Sequence, residues 1–153
     1  MLRASWIAAC TLVIDQLTKI VLTWTVQPGH SVPVVSPILQ LTYVQNTGAA
    51  FGLLKGQQLL FVLLSLVVIA AIIWELATKG SRVATVTWGC GLVLGGAIGN
   101  LIDRLRVGYV IDFLDLRVWP VFNVADSAIT IGVALLILHS LGHEARGTGR
   151  GRK

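Results

Sequence analysis

The sequence predicts an α-helical membrane protein with four transmembrane helices and a small extracytoplasmic β-rich element. Three observations carry that prediction. The chain is 55% hydrophobic with a mean hydropathy of +0.80, and only 12% of its residues are charged, against about 25% in an ordinary soluble domain. Four apolar stretches approach the roughly 20 residues that a helix needs to cross a bilayer. Two intervening segments, rich in Pro, Asn and Asp, do not read as helix. A soluble, unusually apolar oligomer is the alternative, but so little charge leaves a surface too apolar for a monomer in water.

The first apolar run extends from Ala4 to about Thr25, interrupted by Asp15, Gln16 and Lys19. These polar groups break its middle, so it reads as an uncleaved span and not as a signal peptide. Asp15 and Lys19 are four apart, share a helix face and can pair. An ionisable residue within a span is a functional candidate by default, and a structural ion pair is the other reading.

From Gln27 to Gln57 the pattern changes. Pro28, Pro33 and Pro37 forbid a continuous helix. Leu39 to Gln45 alternates with period two and reads as a strand. Asn46-Thr47-Gly48 then turns the chain, and Ala49-Ala50-Phe51-Gly52 supplies small residues for a close approach.

The second span, Leu59 to Trp74, is apolar except for Ser65 and ends at Glu75 and Lys79. A short loop through Gly80, Ser81 and Arg82 leads to the third span, from Val83 to about Arg104. Gly91, Gly95 and Gly99 recur there every four residues, a spacing that lets membrane helices approach closely. Gly96, Asn100 and Arg104 form a neighbouring stripe that turns polar only at its end.

Val107 to Pro120 reads as a strand. Asp112 falls on a face with Val110, Leu114, Leu116 and Val118; Asp115 falls on the other with Ile111, Phe113, Arg117 and Trp119. Asp115 with Arg117 reads as a solvated pair, while Asp112 is alone among apolar side chains. The fourth span runs from about Val121 to Leu141, with Asn123, Asp126 and Thr130 on its first face. Residues 1–153 thus read as a single membrane domain with spans at about 4–25, 58–78, 83–104 and 121–141.

Topology follows from Lys and Arg in the flanks. With the N-terminus inside, Arg3, Lys79, Arg82, Arg146, Arg150, Arg152 and Lys153 lie inside, and Lys55, Arg106 and Arg117 lie outside. Both termini are therefore expected to be cytoplasmic, and segments 26–57 and 105–120 extracytoplasmic. The net charge of +5 and pI near 9.8 do not indicate nucleic acid, because the basic residues sit at segment ends without stacking aromatics. The tail from Ala145 to Lys153 suits anionic lipid headgroups. Cys10 and Cys90 are too few for a disulfide framework. Neither has His or Cys neighbours at ligand spacing, so no metal or cofactor is expected.

This topology gathers Asn46, Asn100, Arg104, Asp112, Asn123 and Asp126 at one leaflet. Four of the seven acidic residues, Asp103, Asp112, Asp115 and Asp126, lie between Gly95 and Asp126. Our reading is that Asp112 and Asp126 face each other and activate a water. Two carboxylates in a low-dielectric site share one proton and titrate as a unit. The ionised member takes a proton from water, and the protonated member donates to a carbonyl or leaving group. His30, His139 and His143 lie outside this cluster, so no Ser/His or Cys/His arrangement competes.

Five motifs carry a family resemblance: Asp15-Gln16-x-x-Lys19, Asn46-x-Gly48-Ala49-Ala50-Phe51, Gly95-Gly96-Ala97-x-Gly99-Asn100-x-Ile102-Asp103-Arg104, Val110-Ile111-Asp112-Phe113 and Phe122-Asn123-x-Ala125-Asp126. In this order they resemble bacterial lipoprotein signal peptidase (signal peptidase II), an aspartic protease family of the cytoplasmic membrane. The resemblance implies that Asp112 and Asp126 are the catalytic pair. It implies that Asn46, Gly48, Asn100, Arg104, Asn123 and Ala125 line or support the site, with Asp15 and Lys19 as supporting residues. The implied substrate is a prolipoprotein cleaved just before a Cys that carries diacylglycerol. The implied enzyme is a monomer among membrane lipids, without cofactor or nucleic-acid partner. A small transporter would instead place its ionisable groups near mid-span. A structural membrane partner would leave Asp112 and Asp126 far apart or paired to Arg.

Overall fold

A computed structural model describes residues 1–48, 53–79 and 83–148 of the chain. Its elements in order are α1 (Leu2–Thr25), β1 (Ser31–Val35), β2 (Leu39–Asn46), α2 (Gln58–Lys79), α3 (Ala84–Val107), β3 (Val110–Asp115) and α4 (Val124–Thr148). All four helices contain a window long and apolar enough to cross a membrane. The protein is a multi-pass membrane protein. Ala49 to Gly52, residues 80–82 and the last five residues, each assigned a place in the sequence reading, lie outside the described residues.

α3 is the central helix and packs against the other three. Its glycines explain how. A Cβ on Gly95 would lie 2.5 Å from the Ala8 carbonyl oxygen of α1, and one on Gly96 would lie 2.5 Å from the Ala125 carbonyl oxygen of α4. Both are closer than real side chains come, so α1 and α4 seat directly on the α3 backbone. Gly91 meets Ala4 and Ile7 in the same way, which makes the expected Gly91/Gly95/Gly99 stripe the α1 seat. With no side chains between them, the backbones gain dispersion contacts that lipid cannot supply. α2 contributes little to this core. Leu59, Leu63, Leu64, Val67 and Trp74 stay exposed on it and suit a lipid-facing surface.

The three strands form one antiparallel sheet in the order β1-β2-β3. β1 is a strand that the sequence reading did not assign. Pro33 removes a donor from it, which an edge position tolerates, and every residue of β1 is exposed. β2 pairs β3 with Val44 opposite Asp112 and Asn46 opposite Val110. The sheet lies against the end of α1, where Tyr43 and Phe113 are buried with Leu22 and Val26.

Three boundaries differ from expectation. α3 continues to Val107 and stops at Gly108, whose φ of 85° lets its N–H reach the Arg104 carbonyl at 3.2 Å. β3 covers only Val110–Asp115 and not the whole run to Pro120. Arg117 takes a left-handed φ of 67° and its N–H turns back to Asp115 Oδ1 at 2.8 Å. The alternation through Trp119 is therefore no strand. α4 begins at Val124 because Leu114 and Phe122 still exchange backbone hydrogen bonds, and it extends past Leu141 to Thr148.

Candidate active site

The site is built where the ends of α1 and α3, the strands β2 and β3, and the start of α4 converge. Asn123 is the N-cap of α4, since its carbonyl accepts the helix's first bond from Ser127 N at 3.2 Å. Its side-chain Oδ1 accepts from Asp126 N at 2.8 Å, and Asp126 Oδ2 accepts in return from Asn123 N at 3.3 Å. Asn123-Val124-Ala125-Asp126 is thus a reciprocal capping box with Asp in the third position. Asp126 also sits where the helix dipole favours negative charge.

With Oδ1 committed to a backbone donor, Asn123 can present only its NH₂ group to the site. That group donates to Asp112 Oδ1 at 2.7 Å and to Asn100 Oδ1 at 3.2 Å. Asn46 works by the same logic. Its Oδ1 accepts from Gly48 N at 2.9 Å, and its NH₂ donates to Asp112 Oδ2 at 2.8 Å. Asn46 is therefore both the turn residue and a site residue. Asn100 completes the set. Its Oδ1 accepts from Lys19 Nζ at 3.1 Å, which has no acceptor to offer, so its NH₂ must point to Asp126 Oδ1, at 2.7 Å. Three amides oriented by obligate donors thus hold two carboxylates, and Asn123 and Asn100 join those carboxylates in one network.

Asp112 is 1% exposed. Burial, and next the negative charge of Asp126, push its carboxyl up to about 7; the hydrogen bonds from Asn46 and Asn123 and the charge of Lys19 oppose the rise. The expectation that Asp112 stands alone among apolar side chains is therefore corrected. So is the solvated Asp115–Arg117 pair. Asp115 is buried and bonded by Thr42 Oγ1 at 2.8 Å, and the Arg117 guanidinium reaches it only at 3.9 Å from a side chain 56% exposed.

Behind the two acids lies a buried ion cluster. Lys19 is 2% exposed and contacts Asp15 Oδ2 at 2.8 Å and Asp103 Oδ2 at 2.7 Å. Asp15 Oδ1 accepts from Ala125 N at 2.9 Å, so a side chain of α1 helps to cap α4. A Cβ on Gly99 would fall 2.5 Å from Asp15 Oδ2, so that glycine makes room for the carboxylate. Ala125 is fully buried between these groups, under Gly96. Sequence reasoning expected the Asp15–Lys19 pair but assigned no role to Asp103 or Gln16. The only signal was the single acid of α3, at its polar end; its partner Lys19 lies 84 positions away.

In front of the acids is a cavity of about 590 Å³. Asn46, Gly48, Asn100, Arg104, Asp112 and Asp126 form its polar wall, and Leu116, Trp119, Phe122, Ile129 and Ile131 contribute an apolar one. Arg104 stacks over the Phe61 ring at 5.0 Å, and it makes no ion pair with Asp112 or Asp126 among the described residues. Six of the ten residues expected at the site line this cavity. Asn123, Ala125, Asp15 and Lys19 stand behind it.

The model of the family described as signal peptidase (SPase) II matches residues 7–142. The chain belongs to the signal peptidase II family. It is a membrane peptidase. Similar proteins include the lipoprotein signal peptidase of Halothermothrix orenii, 48% identical over 129 residues that cover 84% of this chain and 88% of that protein. The lipoprotein signal peptidase of Pelotomaculum thermopropionicum is 45% identical over 147 residues, covering 96% and 97%. A solved bacterial membrane enzyme superposes with a TM-score of 0.88 at 32% identity, covering 94% of this chain and 90% of its own. The cavity and the Asn-clamped acids described above thus belong to a signal peptidase II fold.

Proposed function

We propose that the protein removes signal peptides from diacylglyceryl-modified prolipoproteins, with Asp112 and Asp126 as the catalytic pair. The observation that carries this reading is the orientation of both carboxylates by Asn46, Asn100 and Asn123 at the wall of a largely apolar cavity. We assign the pair's shared proton to Asp112, whose carboxyl is pushed up to about 7 by burial and by the charge of Asp126. Ionised Asp126 takes a proton from a water as its oxygen attacks the scissile carbonyl carbon. Asp112 gives its proton to the carbonyl oxygen, and a tetrahedral diol forms. Asp126 then gives its proton to the amide nitrogen while Asp112 takes one from a diol hydroxyl, so the C–N bond breaks, leaving a carboxyl on the signal peptide and an amine on the lipidated Cys, and the pair regains its starting protonation. Each transfer is a general acid–base step by a positioned group.

The remaining residues have supporting roles. Arg104 and Gly48 line the approach to the acids, and Ala125, Asp15 and Lys19 fix the mouth of α4. The apolar wall near Trp119 and Ile131 suits acyl chains that enter sideways from the leaflet. The flanking Lys and Arg favour cytoplasmic termini and an active site at the outer face of the bacterial cytoplasmic membrane. The enzyme acts there as a single-domain monomer.

The test is incubation of the purified enzyme with a diacylglyceryl-modified precursor peptide. Release of the signal peptide is expected, with no release from the same peptide lacking the lipid. Equal cleavage of both peptides, or of neither, would reject this substrate class.

A further inference from the structure

Asp103 lies outside the substrate cavity, yet it touches the supports of both acids. One oxygen, Oδ2, accepts from Lys19 Nζ at 2.7 Å and from the backbone N–H of Ile111 at 3.2 Å. Lys19 in turn bonds Asn100 Oδ1 at 3.1 Å, and Asn100 bonds Asp126 Oδ1 at 2.7 Å. Ile111 immediately precedes Asp112 on β3. The other oxygen, Oδ1, is fixed by Gln16 Nε2 at 3.1 Å. Starting from one carboxylate, one chain of contacts ends at Asp126, and a second ends beside Asp112.

We propose that Asp103 is a positioning residue that sets the placement of Asp112 relative to Asp126. The reading rests on the catalytic pair proposed above. β3 hangs from a small sheet whose outer strand is fully exposed, whereas Asp126 belongs to a helix seated on the α3 backbone. β3 meets the mouth of α4 through the Leu114–Phe122 backbone pair and through Asn123, which bonds Asp112. The bond from α3 through Asp103 to Ile111 N adds a tie to the central helix at the residue just before Asp112. A displacement of about 1 Å in such a pair costs on the order of a hundredfold in rate.

A second feature supports this role. Asp103 and Lys19 border a separate cavity of about 160 Å³, also lined by Gln16, Tyr43, Tyr109 and Arg106. Substrate in the larger cavity does not meet Asp103. Its loss therefore touches catalysis without touching substrate binding. Its charge also matters at a distance, because Lys19 contacts Asp15 and Asp103 and acts on Asp112, while Arg104 and Asp126 are the other charged groups that face Asp112. Removing one anion from that set leaves Lys19 less neutralised. Asp112 then ionises more readily.

The experiment is steady-state cleavage of the diacylglyceryl-modified precursor by Asp103→Asn, per folded molecule, across pH. The expected result is a kcat at least tenfold down, a KM within twofold of wild type, and an alkaline limb of the kcat profile moved to lower pH. An unchanged kcat would overturn the proposal. So would a rise in KM with an unmoved limb, which is what general loosening of the fold produces. If Asp103→Asn does not fold, Gln16→Leu decides, because it removes the donor to the second oxygen of Asp103, along with that amide's bonds to Asp15 Oδ2 and the Gly99 carbonyl, and leaves the Lys19 and Ile111 contacts of Asp103 in place. A severalfold loss in kcat at constant KM supports the proposal, and wild-type kcat rejects it. Wild-type enzyme that does not cleave the precursor would instead reject the catalytic reading itself, so the two failures are distinguishable.

Discussion

Asn123 and Asp126 cap each other across the first turn of α4, each side chain accepting the other's backbone N–H at 2.8 and 3.3 Å. This box fixes the rotamer of Asp126 and aims the Asn123 amide at Asp112. Helix capping and site assembly are therefore one arrangement, and the two contributions separate by mutation.

Asn123→Ser keeps a cap but is too short to reach Asp112. Asn123→Ala removes both, at a cost of about 1 kcal/mol in helix stability. The serine variant is expected to melt within a few degrees of wild type and the alanine variant lower. Both are expected to lose most of their kcat. Comparison of Tm and kcat across the two variants checks this; retained turnover in Asn123→Ser would show that the bond to Asp112 is dispensable.

The rate is expected to fall with rising pH. Asp112 holds its proton up to about 7, so above that value the pair loses its shared proton and kcat drops about tenfold per pH unit. Stability follows the same sign. An unfolded Asp releases its proton near 3.8, so the folded state binds more protons between that value and about 7. The contribution of Asp112 to stability is full below about 3.8 and is lost as pH rises through about 7. Thermal melts from pH 4 to 8 measure it.

Gly96→Ala places a methyl group 2.5 Å from the Ala125 carbonyl oxygen, where backbone must yield. The expected loss is about 1–3 kcal/mol, typical of overpacking. Because Ala125 leads directly to Asp126, activity should fall further than the folded fraction. Thermal denaturation in detergent with activity normalised to folded protein separates the two effects.

Much of this was legible from residue pattern. Leu59 to Trp74 declares a span by length and apolarity alone, and Asp15 with Lys19 declares a pair by helical spacing. The gathering of Asn46, Asn100 and Asp112 followed from counting crossings. The strand through Trp119 was misread because apolar and polar residues alternate there by chance, while Arg117 folds the backbone back on Asp115. Asp103 was missed because its meaning lies in contacts with residues 84 positions before it and 8 after it. Likewise, no local pattern states that Asn46 uses one amide atom for its turn and the other for Asp112.

The most direct test compares Asp112→Asn, Asp126→Asn and Asp115→Asn on the diacylglyceryl-modified precursor. Asp115 accepts from Thr42 and from Arg117 N, away from the cavity, so its Asn variant should retain turnover within severalfold of wild type. Asp112→Asn and Asp126→Asn should each fold and show no measurable release of signal peptide. Turnover that survives in either of those two, or that vanishes in Asp115→Asn alone, would contradict the account.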